Sequence, residues 1–155
     1  MKKMILFIAL TSMFAVHANS QAIFNEVNRI MHRAESIKND KSKDLNDRKI
    51  ATFKADAIFY LLSKASEDPK FTEYELGKQT NAMVDFVNSF QNRWNNYSNK
   101  SDKESLMNRY KTASLQNSLF NDPEKDIVEA YVNNEKFITQ FSIDTNWIKA
   151  YETVK

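Results

Sequence analysis

A chain of 155 residues, 42% hydrophobic and 27% charged, has the make-up of a folded domain, and its complete lack of cysteine excludes a disulfide framework, a thiol nucleophile, a thiolate metal site and a lipid anchor on an N-terminal Cys. One Gly and two Pro leave almost no material for tight hairpin turns. Of the 22 basic residues two lie in the first eighteen positions, which hold no acid, so the remainder carries 20 basic against 20 acidic residues and offers no electrostatic case for a nucleic-acid partner.

Those first eighteen positions read as an export signal. Lys2 and Lys3 form a basic tip, Met4 to Val16 an apolar run, and Val16-His17-Ala18 a small-residue cleavage pattern. The run of 13 residues is short of the roughly 20 that cross a bilayer as a helix. Cleavage after Ala18, or after Ser20, is expected to leave a periplasmic or secreted product with no transmembrane segment. Residues 19–155 are expected to form one domain.

Heptad spacing then recurs along the chain. Ile23, Val27, Ile30, Ala34 and Ile37 line one side of a first helix over about 21–38. A charged connection leads to a second helix over about 45–66, with Ile50, Phe53, Ala57, Tyr60 and Leu61 on one side; Ala57 to Leu62 is apolar nearly all round. Asp68-Pro69 ends it, because a residue before proline is pushed out of helical geometry. Thr72 and Glu75 form a capping box with Phe71 and Leu76 as its hydrophobic staple, opening a third helix whose stripe runs Leu76, Thr80, Met83, Val87, Phe90, Trp94, Tyr97.

A second capping box, Ser101 with Glu104, predicts a fourth helix carrying Leu106, Tyr110, Ala113 and Phe120. Asp122-Pro123 predicts the start of a fifth, carrying Ile127, Val128, Tyr131, Ile138 and Phe141. Asp144 or Thr145 is expected to cap a short last helix bearing Trp147, Ile148, Tyr151 and Val154. Short connections between long helices force antiparallel neighbours. The expected fold is all-α, an up-and-down antiparallel bundle of four to five long helices plus a short C-terminal helix.

Residues able to carry chemistry are few. His32 is the only histidine beyond the leader, and with Glu35 it supplies too few ligands for a zinc site, so no metal is expected. Asp56 and Asp85 sit inside apolar stretches, where a carboxylate must pair or shift its pKa. Arg48, Lys49 or Lys54 is the expected partner of Asp56, and Arg93 or a lysine of another helix that of Asp85. A hydrolase would need one of these acids in a cleft with Arg48 or Lys54. No catalytic or cofactor motif is present, and one glycine could not build a phosphate loop, so neither an enzyme nor a cofactor is expected. Phe59, Arg93, Trp94, Tyr97, Trp147 and Tyr151 are the candidate binding residues, since large rings mixed with guanidinium and amide donors suit a partner's hot spot.

The stretch from Asp47 to Leu62, DRKIATFKADAIFYLL, resembles one found in small exported helical proteins of unassigned function in Bacteroidetes. The resemblance covers the first half of the exported part and implies a Gram-negative periplasmic or secreted protein. It implies Arg48, Lys49, Phe53, Lys54 and Asp56 as the distinctive core of the second helix, with no active-site residues to carry over. The expectation is a binding or interaction module that engages a protein or another envelope component, with a homo-oligomer among the arrangements. A carrier of a small apolar ligand between the helices is the alternative.

Overall fold

The computed structural model describes residues 2–121, 131–133 and 139–155, and the surroundings of side chains from Gln21 onward. Five helices are fully described among these residues, α1 (Lys2–Asn39), α2 (Leu45–Glu67), α3 (Glu73–Asn96), α4 (Lys100–Leu115) and α5 (Trp147–Val154), and residues 131–132 are helical as well. There is no strand among them, and the fold is the all-α bundle that the apolar periodicity predicts.

The caps explain the boundaries. The Asp44 carboxylate accepts from the Asn46 N–H at 2.8 Å to start α2, and the Thr72 hydroxyl accepts from the Glu75 N–H at 3.2 Å to start α3, with staple residues Phe71 and Leu76 both buried. The fourth start falls elsewhere than the capping box predicts. Asn99, two residues earlier, caps α4 by accepting from the Asp102 N–H at 2.7 Å. An Asn side chain closes this turn as well as Ser does, and the earlier position won.

Helix α3 is the centre of the bundle and touches all four others. Helices α1 and α3 pack on each other and run the same way, both antiparallel to α2: Ile23 in the second half of α1 meets Gly77 near the start of α3, and Ile37 near the end of α1 shares a groove with Gln91 near the end of α3, while Asp47, at the start of α2, meets Gln91. The core is a packed set of rings. Phe141 stands edge-on to Phe53 at 5.6 Å, Phe86 at 5.2 Å and Phe90 at 5.1 Å, and Trp147 packs edge-on against Phe53 and Phe86. Such contacts add to the large area that each ring removes from water.

Two stretches depart from the predicted helices. Helix α4 stops at Leu115, so Phe120 reaches the core from a turn, against Tyr60 and Phe71. Most of the predicted fifth helix, including Ile127, Val128 and Ile138, lies outside the described residues, while Tyr131, another of its positions, is helical as expected. The last predicted position is not: Phe141 is fully buried in a non-helical segment, 139–146. That segment is held by side-chain hydrogen bonds that periodicity does not encode. Asp144 accepts from the Ser118 hydroxyl at 2.5 Å and from the N–H groups of Leu119 and Phe120 at 3.2 and 2.9 Å. Since Asp144 is engaged there, Asn146 rather than Asp144 or Thr145 caps α5.

The start of α5 is pinned to α3 by one buried amide. Gln79 accepts from the Trp147 N–H at 2.7 Å and donates to Asn146 and Glu75. At the other end of α5, Arg93 and Arg109 both donate to the Val154 carbonyl, at 3.0 and 3.2 Å. Cations at a helix C-terminus satisfy its free carbonyls and oppose its dipole.

Candidate functional site

The inward stripe of α1 is flanked by two arginines one turn apart, Arg29 and Arg33. Packing sets them opposite the polar edge of α2, and the result is an open groove of about 440 Å³ lined by α1, α2 and α3. Ile30, Ala34, Ile37, Ile50, Ala51 and Val84 form its apolar floor; Arg29, Arg33, Lys43 and Lys54 supply four cations, with Asp47 as the single carboxylate. Asn88 and Gln91 complete it from α3.

The polar contacts leave these cations under-matched. Gln91 donates to the Asp47 carboxylate at 2.6 Å, and Arg29 is held outside by a two-pronged contact with Glu26 at 2.7 and 2.8 Å. Lys54 donates at 2.6 Å to the neutral amide oxygen of Asn88. Burial pushes the Lys54 ammonium below the ordinary lysine range, the facing Arg33 guanidinium pushes the same way, and Asp47 partly offsets both. The side chains of Arg33 and Lys43 have no hydrogen bond or ion pair among the described residues. A half-buried cation facing a like charge is where an incoming anion gains most.

A second groove, of about 520 Å³, continues along the α1–α3 seam and is lined by Ala22, Ile23, Val27, Tyr74 and Gly77 among others. Ile30 lines both grooves. The helices pinch together at Gly77, where an added Cβ would stand 2.8 Å from the Ile23 Cγ2. This is the one position in the chain where glycine has a packing reason to interrupt a helix.

The sequence-derived candidates scatter. Lys54 is in the groove, while Arg48 donates to the Lys38 carbonyl at 3.0 Å, where it caps α1. Asp56 does not pair with Arg48, Lys49 or Lys54: it accepts a short hydrogen bond from the Tyr131 hydroxyl and lies 3.9 Å from the Lys38 ammonium. Burial foremost, then the bond to Asp56, raises the Tyr131 phenol above the ordinary tyrosine range. Asp85 forms no buried pair. It is exposed, with no hydrogen bond or ion pair among the described residues, because it points away from α2 while Val84 and Phe86 turn inward.

Nor do the aromatic candidates make one face. Trp147 is fully buried in the core, where ring packing claims it, and the Arg93 guanidinium is engaged by Val154. Trp94 is half-buried against Phe90 with Lys103 over its ring, Tyr97 is the exposed C-cap of α3, and Tyr151 lies half-buried on α5 beneath Lys155. Phe59 is 69% exposed and makes no ring contact among the described residues. The Ala57–Leu62 run that looked apolar all round is thus Ala57, Ile58, Tyr60 and Leu61 inside and Phe59 outside.

Sequence reasoning missed Arg29, Arg33 and Lys43. Two arginines at i and i+4 beside a core stripe were the available signal; only packing shows that they face Lys54. The groove holds no hydroxyl, thiol or imidazole, so it offers charge and apolar surface without a nucleophile–base pair. His32 lies exposed beside Glu35 at 3.3 Å, and no group of three His, Cys, Asp or Glu side chains assembles among the described residues. No helix among them is long and apolar enough to cross a membrane. No protein-family model matches the chain, and no curated protein and no solved structure matches it either.

Proposed function

We propose that the chain is an exported binding module of a Gram-negative envelope that captures an anionic ligand in the α1–α2–α3 groove and performs no chemistry on it. The observation that carries this reading is the facing pair Arg33 and Lys54, set over an isoleucine-rich floor, with the one carboxylate of the groove's lining tied to Gln91. Concave sites with an apolar lining and a few convergent polar groups are the usual form of ligand sites. An apolar ligand enclosed among the helices draws no support from the Ala57–Leu62 run, whose inward side chains are closely packed. A hydrolase draws none from Asp56 and Asp85, which line neither groove.

Nuclear magnetic resonance of the full chain at low ionic strength tests the reading, with inorganic phosphate as the probe. Shifts should concentrate on Arg33, Lys54, Asn88 and the backbone around Ile50. Shifts spread evenly over the surface lysines, or none at all, would overturn it. The export half is tested separately, by expression in a Gram-negative host. A periplasmic product beginning at Asn19 or Gln21 is expected, and an uncleaved cytoplasmic product would refute it.

A further inference from the structure

The two grooves adjoin at Ile30 and differ in balance, the first rich in cations and the second more apolar. One is the cationic mouth around Arg33 and Lys54; the other is walled by Val27, Ile23 and Tyr74, has Glu26, Lys78 and Asn81 at its polar margin, and is pinched at Gly77. From Arg33 back to Ala22 the wall is α1 itself, which at 1.5 Å per residue covers about 16 Å, close to the length of an extended dodecyl chain. A compact anion would fill the mouth and leave the apolar channel to water, and a neutral hydrocarbon would fill the channel and leave the cations facing each other.

We propose that the ligand of this site is a single-chain amphiphile with a phosphate monoester head, the head between Arg33 and Lys54 and the alkyl chain along the α1–α3 seam. This rests on the reading of the α1–α2–α3 groove as an anion site. The head follows from charge. With Arg29 paired to Glu26, the groove's lining keeps three cations, Arg33, Lys43 and Lys54, against one carboxylate, Asp47, with Asp40 beside Lys43 just outside it, so a phosphate monoester of charge about −1.5 to −2 meets more of the local positive charge than a carboxylate does. Arg33 supplies the planar fork that takes two phosphate oxygens, and Lys54 and Lys43 act as point charges. The single chain follows from the seam, which is bounded by only two helices and closes at Gly77.

Isothermal titration of the full chain with dodecyl phosphate below its micelle concentration tests this, alongside inorganic phosphate, sodium dodecanoate and the uncharged dodecyl maltoside. Dodecyl phosphate should bind one per chain, at least about tenfold tighter than any of the other three. Affinity should rise roughly two- to fourfold per methylene from octyl to dodecyl phosphate. The doubly substituted chain R33Q/K54M, with its fold checked by circular dichroism, should lose at least about tenfold, and about 0.5 M salt should weaken the unsubstituted protein in the same direction. Inorganic phosphate binding as tightly as dodecyl phosphate would overturn the amphiphile and leave the anion groove standing. Dodecanoate binding as tightly would overturn the phosphate head, dodecyl maltoside binding as tightly would overturn the charged mouth, and no binding by any anion would overturn both readings.

Discussion

Single side chains decide the electrostatics of this bundle, and two of them work in opposite directions on its pH dependence. Lys54 is held below the ordinary lysine range, so above its folded pKa the unfolded chain binds more protons than the folded one, and stability from this group rises with pH toward the ordinary lysine value. Tyr131 is held above the ordinary tyrosine range, so its contribution is complete below that range and is lost as pH rises through the folded value. Any advantage in melting temperature of K54M over the unsubstituted chain should therefore shrink between pH 7 and about pH 10, followed by differential scanning calorimetry. A constant gap would show that burial of the ammonium is not what shifts it. A second residue-scale outcome concerns Thr80, whose fully buried hydroxyl has no hydrogen-bond partner among the described residues. Thr80→Val keeps the shape and removes the orphaned group, and should stabilise the protein by about 1 kcal/mol in urea denaturation.

At the scale of the element, legibility follows periodicity. The stripes of α1, α2 and α3 were readable because the side chains that repeat every third and fourth position, such as Val27, Ala34, Phe53, Ala57, Met83 and Val87, are those the structure buries. The strap 139–146 was not, because Phe141 and Ile143 are carried inward by hydrogen bonds from Asp144, Ser142 and Thr145 to residues about 25 or more positions away. The groove was half legible. Lys54 was legible only as a candidate partner of Asp56, whereas it donates to Asn88 instead, and Arg33 acquires meaning only when α1 lies against α2. The Gly77 crossing gives a test at this scale. Ala at position 77 gains roughly 1 kcal/mol of helix propensity, but its Cβ meets the stiff, β-branched Ile23. Overpacking of this kind costs about 1–3 kcal/mol, so Gly77→Ala should be net destabilising by about 1 kcal/mol, with faster amide exchange around Ile23. The two-arginine clamp on α5 gives another: R93A/R109A should lose between about 1 and 3 kcal/mol by thermal unfolding, with α5 opening first.

For the whole molecule, the balance of 20 basic and 20 acidic residues over positions 19–155 means that any strong salt dependence of binding must come from a local cluster, not from the field of the protein. The α1–α2–α3 groove is such a cluster, built where one apolar stripe serves both as core and as the floor of an open site. The ring-packed interior has an optical consequence as well. Trp147 is fully buried against Phe53 and Phe86, whereas Trp94 is only half covered, beneath Lys103. The two indoles are therefore separate dyes within one chain: in W94F the remaining emission should be blue and untouched by iodide, while W147F should report only the rim of α3. A protein that carries both an internal and a peripheral lamp lets loosening of the centre be seen apart from events at its border.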